Sequence, residues 1–324
     1  MKLHYKNRLF YFIIIIAVAI TGCESLVNDL DESELPHISS KLVVESFIGP
    51  SEDSINVIVT ESSPLFGEVN FETKIVQNAT VTLSNDTKSV QIPWNGDTRK
   101  YTLSSKNFTI SPGKTYYLTV TDPTRKVTAN CTVPLVAATF NEIIISSENK
   151  SDEFRYDSTM VVKISWNDIP NQTNYYSIRG YAITRITEPR FDFNTNDVKI
   201  AYYENVVTLS TNNYNSFIHL QNDINLDGSI LKAPDLNIRL QKNDLRKDPL
   251  PNGQIQTYYT NPKLIKTHIE ILNLEENYYK YHRSHGRGYD NDNPFVEPTL
   301  TFTNIEGGLG CFGAYNATVA EIEN

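Results

Sequence analysis

The sequence predicts an all-β protein made of two β-sandwich domains, and three observations predict it. Apolar and polar residues alternate at a period of two, as in Tyr116, Leu118 and Val120 against Tyr117, Thr119 and Thr121, the pattern of a strand that buries one face. Asn occurs 33 times and Tyr 19 times in 324 residues, with 14 Gly and 15 Pro spread along the chain, a composition suited to strands punctuated by turns. Helical composition without Gly or Pro is confined to one short segment near residues 275–285, so a single short helix is expected there.

The first domain is expected over residues 36–134. Its strands fall at residues 42–48, 55–60, 75–83, 90–92, 116–121 and 127–133, and Asp122-Pro123 turns the last two into a hairpin. That number of short strands reads as an immunoglobulin- or transthyretin-like sandwich. Val133-Pro134 closes the unit, and residues 135–324 form the second domain. There a strand ending in Trp166, a polar turn containing Pro170 and a Tyr-rich strand at 175–178 resemble a fibronectin type III pair. Further strands are expected at 206–209, 217–220, 236–240 and 266–272. The helix follows as an insert near 275–285, broken by Gly286 and Gly288.

The N-terminus is a targeting segment. Lys2, Lys6 and Arg8 precede twelve apolar residues, 9–20, too few for the roughly 20 that a membrane-spanning helix needs. Residues 1–22 are therefore expected to be a signal peptide. Ile20-Thr21-Gly22-Cys23 resembles a bacterial lipobox, which implies acylation of Cys23 and cleavage before it. Two or three acyl chains hold a protein firmly to a membrane. Residues 23–35 form an acidic tether carrying Glu24, Asp29, Asp31, Glu32 and Glu34, and it resembles the surface-export signal of Bacteroidota lipoproteins.

Charge excludes one class of partner. The chain carries 29 Lys+Arg against 38 Asp+Glu, a balance of −9, and cleavage before Cys23 takes it to −12; nucleic acid is not expected to bind so acidic a chain. With Cys23 lipidated, Cys131 and Cys311 remain, one in each expected domain, and buried free thiols are expected in preference to a disulfide.

No nucleophile elbow, zinc-protease motif or phosphate-binding glycine loop occurs, and no enzymatic activity or cofactor is expected beyond the covalent lipid. Asp223, Asn225 and Asp227 precede Gly228 at the alternate spacing of a calcium loop. Pro234 stands where the closing Glu would be, so calcium is not expected; these three residues are a fallback cation site, with Asp235 as the extra ligand. The adjacent tyrosines at 175–176, 202–203, 258–259 and 278–279 suggest an exposed aromatic face for a partner or ligand. Tyr278, Tyr279 and Tyr281 are the candidate partner- or ligand-binding tyrosines. Gly307, Gly308, Gly310 and Gly313 suggest backbone lying close to another surface, either a bulged final strand or a partner's approach.

The segment from Tyr278 to Tyr281, Asn293 to Pro298 and Asn304 to Asn316, with Leu42-Val43-Val44-Glu45 and Asp227-Gly228, is similar to an uncharacterised family of Bacteroidota lipoproteins. That family is a domain of unknown function encoded beside SusC-like TonB-dependent receptors. The resemblance implies an outer-membrane accessory protein, lipid-anchored and facing the cell surface, with such a receptor or another outer-membrane protein as partner. The rival expectation is a structural lipoprotein of barrel assembly or secretion.

Overall fold

The computed structural model describes residues 39–63, 73–152, 155–192, 194–195, 197–211, 219–240, 245–251, 253–260, 262–285 and 300–324. Cys23 and the acidic residues of the tether lie outside them. Among the described residues the fold is all-β with one short helix. Its first half contains β1 (Leu42–Ile48), β2 (Ser54–Glu61), β3 (Thr80–Ser84), β4 (Ser89–Ile92), β5 (Trp94–Asn95), β6 (Lys100–Ser104), β7 (Thr115–Thr121) and β8 (Lys126–Thr132). Alternation decides which side chains enter the core. Leu42, Val44 and Ile48 of β1 are buried, as are Ile55, Val57 and Val59 of β2, while their neighbours are partly open. Strands β4, β3, β7 and β8 form one sheet, and β1, β2, β6 and β5 lie in the other. The expected β7–β8 hairpin forms, and Asp122 organises its turn by accepting hydrogen bonds from Thr124 N at 2.9 Å and Arg125 N at 2.6 Å.

The second half contains β9 (Thr139–Asp152), β10 (Arg155–Asn167), β11 (Tyr175–Asp192), β12 (Asp197–Thr208), β13 (Ser210–Thr211), β14 (His219–Asn222), β15 (Ile230–Lys232), β16 (Leu236–Arg239), β17 (Leu245–Pro249), β18 (Ile255–Tyr259) and β19 (Lys263–Leu274), then helix α1 (Glu276–His285) and β20 (Leu309–Glu323). Trp166 is fully buried and meets Tyr176 edge-on, with ring centroids 5.6 Å apart. The long β11–β12 hairpin exceeds the short strands expected from sequence, because its outer part packs on little and so leaves no burial pattern to read.

Strand β20 joins the halves. It runs antiparallel to β19 along residues 315–323 and parallel to β1 along residues 309–314, so one sheet continues as β12-β11-β19-β20-β1-β2-β6-β5. Ile305, Phe312 and Ala314 complete the core of the first half. A division of the chain at residue 134 places these three in the half where they do not pack. Cys131 and Cys311 are both buried free thiols, and Cys311 Sγ lies 3.6 Å from Asn277 O.

Two sequence expectations about surfaces are corrected here. Tyr278, Tyr279 and Tyr281 are buried, at 7%, 5% and 4% exposure. Lying on a helix set against β1, β11 and β20, they share one inward arc: Tyr278 meets Phe47 and Tyr315 edge-on, Tyr279 stacks on Tyr175, and Tyr281 donates to Glu45. Gly308, Gly310 and Gly313 are buried as well. Their missing side chains make room for the molecule itself: a Cβ on Gly310 would lie 2.1 Å from Val44 O, and one on Gly313 would lie 2.9 Å from Tyr278 Cβ. Gly307 stays exposed, with φ of +80° in the turn leading into β20.

Candidate functional site

Three segments that end or begin elements converge on a polar cleft of about 430 Å³. The exit of β8 contributes Thr132 and Pro134, the loop between β10 and β11 contributes Gln172, Thr173 and Asn174, with Tyr175 at the start of β11, and the passage from β19 into α1 contributes Asn273, Leu274, Glu275 and Glu276.

Buried amides fix its walls. Asn174 Nδ2 donates to Ile169 O at 2.6 Å, Gln172 O at 3.1 Å and Asp223 Oδ2 at 3.0 Å, and Asn174 N donates to the same Asp223 oxygen at 2.9 Å. Asn273 Nδ2 donates to Val136 O at 2.8 Å, and Asn316 Nδ2 to Pro134 O at 3.0 Å, which clamps the connection between the halves onto β19 and β20. An unmade bond in such a buried polar setting costs about 1–3 kcal/mol, so the walls are held firmly.

Glu275 is the most perturbed group in the cleft. Its N–H donates to Ala314 O at 2.9 Å, and its carboxylate caps α1 by accepting from Tyr278 N at 3.3 Å and Asn277 Nδ2 at 2.6 Å. Burial nevertheless raises the carboxyl to about 7, against the backbone N–H groups of Asn277 and Tyr278 and with the adjacent Glu276 charge adding to the rise. Glu276 is exposed and meets Lys280 Nζ at 2.9 Å and Tyr175 OH at 3.4 Å. The Tyr175 ring is held against Tyr279, with centroids 4.5 Å apart. Across α1, burial and then His285 lower His282 to about 4, and its ring packs on Phe47 and Tyr278.

Behind Asn174 lie three carboxylates. One oxygen from each of Asp168, Asp223 and Asp227 falls within 4.8 Å of the others. Sequence spacing brought Asp223 and Asp227 to notice and missed Asp168, which precedes the cleft loop. Asp235, the extra ligand expected from sequence, instead has Lys163 Nζ at 4.0 Å, and Asn225 sits exposed in the turn with φ of +63°. Each acid already holds a loop: Asp168 accepts from Tyr176 OH at 2.6 Å and Gly228 N at 2.7 Å, and Asp227 accepts from Asn171 N at 2.8 Å.

A family model described as a domain of unknown function, DUF4249, matches residues 25–321. The chain belongs to this family. The DUF4249 match begins two residues after Cys23 and spans both halves of the fold, including β20. No curated protein matches the chain. The sequence pointed to an uncharacterised family of unknown function and to Asp223 and Asp227, but not to the cleft, because its residues lie in three separated segments with no spacing signature. The one local signal was the acidic pair Glu275-Glu276 at the start of the expected helix.

Proposed function

We propose that the protein is a lipid-anchored outer-membrane protein facing the cell surface, serving a SusC-like TonB-dependent receptor as a non-enzymatic binding component. The cleft carries the reading: about 430 Å³, walled by the ends of strands and the start of a helix, is the scale of a small-ligand site on a rigid scaffold. Cys23 in its lipobox-like setting supports anchoring, and the acidic tether supports exposure on the surface. The edge strand β12 supports contact with a protein partner. Ile200, Tyr202 and Val206 alternate along one face of it and are 62%, 65% and 71% exposed.

Affinity purification of the tagged lipoprotein from detergent-solubilised outer membrane tests the proposal. A SusC-like barrel is expected to co-purify, and Cys23→Ser is expected to abolish acyl labelling and release the protein from the membrane. The apolar strip on β12 also favours a second reading, a structural lipoprotein of barrel assembly or secretion. Recovery of assembly or secretion subunits without a SusC-like barrel would replace the first reading with the second.

A further inference from the structure

We propose that the cleft receives a primary ammonium group, held between the Glu275 and Glu276 carboxylates beside the Tyr175 ring. The inference names a ligand class for the cleft and rests on the reading of the cleft as a binding site.

The charges of the lining favour a cation. Two of its ten residues are carboxylates, and none is Lys, Arg or His. Asp168, Asp223 and Asp227 stand behind its Asn174 wall and add negative potential from the same side. An anion would meet five carboxylates, with Lys280, through Glu276, the only cation among the described residues bonded to any of the five.

Hydrogen-bonding capacity points the same way. The side-chain amides of Gln172, Asn174 and Asn273 donate inward, to Asn174 Oδ1 at 2.6 Å, to the loop carbonyls and Asp223, and to Val136 O. Acceptors therefore predominate among what remains for a ligand. An ammonium brings three donors and no acceptor, and Tyr175 adds an aromatic surface of the kind that attracts cations.

The surroundings of Glu275 suit a cationic ligand. The titratable groups that act on Glu275 are Glu276 and Lys280 on α1, Cys131 on β8 and Cys311 on β20, and Tyr175 on β11 shares the cleft lining. Lys280 is the one cation among them, and it is engaged by Glu276. Burial then leaves the carboxyl half protonated near pH 7. A bound ammonium would favour the carboxylate, and the Glu275 proton would pass to solvent as the ion pair forms.

Binding should therefore release protons and depend on pH. Below pH 7 each unit of acidification should weaken ammonium affinity about tenfold, and above it affinity should level off. The test is calorimetric titration of the full chain in detergent with cadaverine and with Nα-acetyl-lysine methylamide, which represent a free amine and a peptide side chain. The neutral isostere 1,5-pentanediol and calcium chloride serve as controls. The expected result is binding of at least one ammonium probe, about tenfold tighter at pH 8 than at pH 6, with about half a proton released at pH 7 and neither control binding in the cleft. Glu275→Gln, which keeps a capping carbonyl, should weaken binding at least tenfold and remove the pH dependence. Should that variant fold poorly, the wild-type pH profile and the proton count still decide. Equal binding of the diol, displacement of the amine by calcium, pH-independent affinity or no binding of either ammonium probe would overturn the proposal. A protein that co-purifies with a SusC-like barrel but binds neither probe defeats the ligand class alone; one that binds amine without the barrel defeats the receptor assignment alone.

Discussion

Replacing Gly310 with Ala should destabilise the protein far more than the loss of an ordinary strand glycine. Gly310 lies opposite Val44 where β20 meets β1, and its φ is +102°. A side chain in that conformation costs about 1–2 kcal/mol by itself. The added Cβ would also lie 2.1 Å from Val44 O and 2.8 Å from Val44 C. Those atoms are backbone, so no rotamer change relieves the overlap and the two strands must separate locally. Losing two or three ladder hydrogen bonds at about 1 kcal/mol each brings the total to about 3–5 kcal/mol. At about 2–4 °C per kcal/mol, the melting temperature should fall by about 6–20 °C. The internal control is Gly253→Ala, where φ is +81° and nothing lies within 4 Å of the new methyl; only the conformational cost of about 1–2 kcal/mol applies there. Thermal unfolding followed by circular dichroism measures both. If Gly310→Ala costs no more than Gly253→Ala, β20 does not approach β1 as described, and the account of the join between the halves fails.

Asp168→Ala should cost about 3–5 kcal/mol in denaturant titration, because it takes the acceptor from the buried Tyr176 hydroxyl and from Gly228 N; an effect below about 1 kcal/mol would show that the three acids do not hold the cleft loop. Burial opposes ionisation of Asp122, but Arg125 and two backbone N–H groups hold its carboxyl at about 2 against an ordinary 3.8. The stabilisation is complete above the ordinary value and is lost as pH falls toward 2, so Asp122→Asn should flatten acid unfolding in that window. His282 is lowered to about 4 from 6.5, so stability should drop as pH falls from 6.5 to 4, and His282→Phe should remove that slope in urea titrations at several pH values. Glu275 has the opposite sign, since its raised value of about 7 makes ionisation destabilising: Glu275→Gln should increase stability at pH 8 and change it little at pH 4.

The sequence by itself determined the class of the fold and several local elements. Alternation in residues 116–121 and 127–133 marked strands β7 and β8, and Asp122-Pro123 marked their turn, because side-chain period and turn chemistry act over neighbouring residues. The helix was legible for the same reason: residues 275–285 contain no breaker, and Glu276–His285 forms it. Tyr278, Tyr279 and Tyr281 were legible as residues but not as a buried face. Adjacent aromatics have one environment on an exposed strand and another on a helix wedged against β1 and β20, and the wedge is a tertiary fact. Gly310 announced a close approach without naming Val44, which lies at the opposite end of the chain. Asp223 and Asp227 shared a local spacing, whereas Asp168 reached them only when the β10–β11 loop folded back. The cleft is the extreme case, since Thr132, Asn174 and Glu275 meet only after β20 has joined both halves. Local chemistry selects strand, turn or helix within a few residues. Which distant backbone they meet depends on burying two cores at once, and only the folded chain decides that.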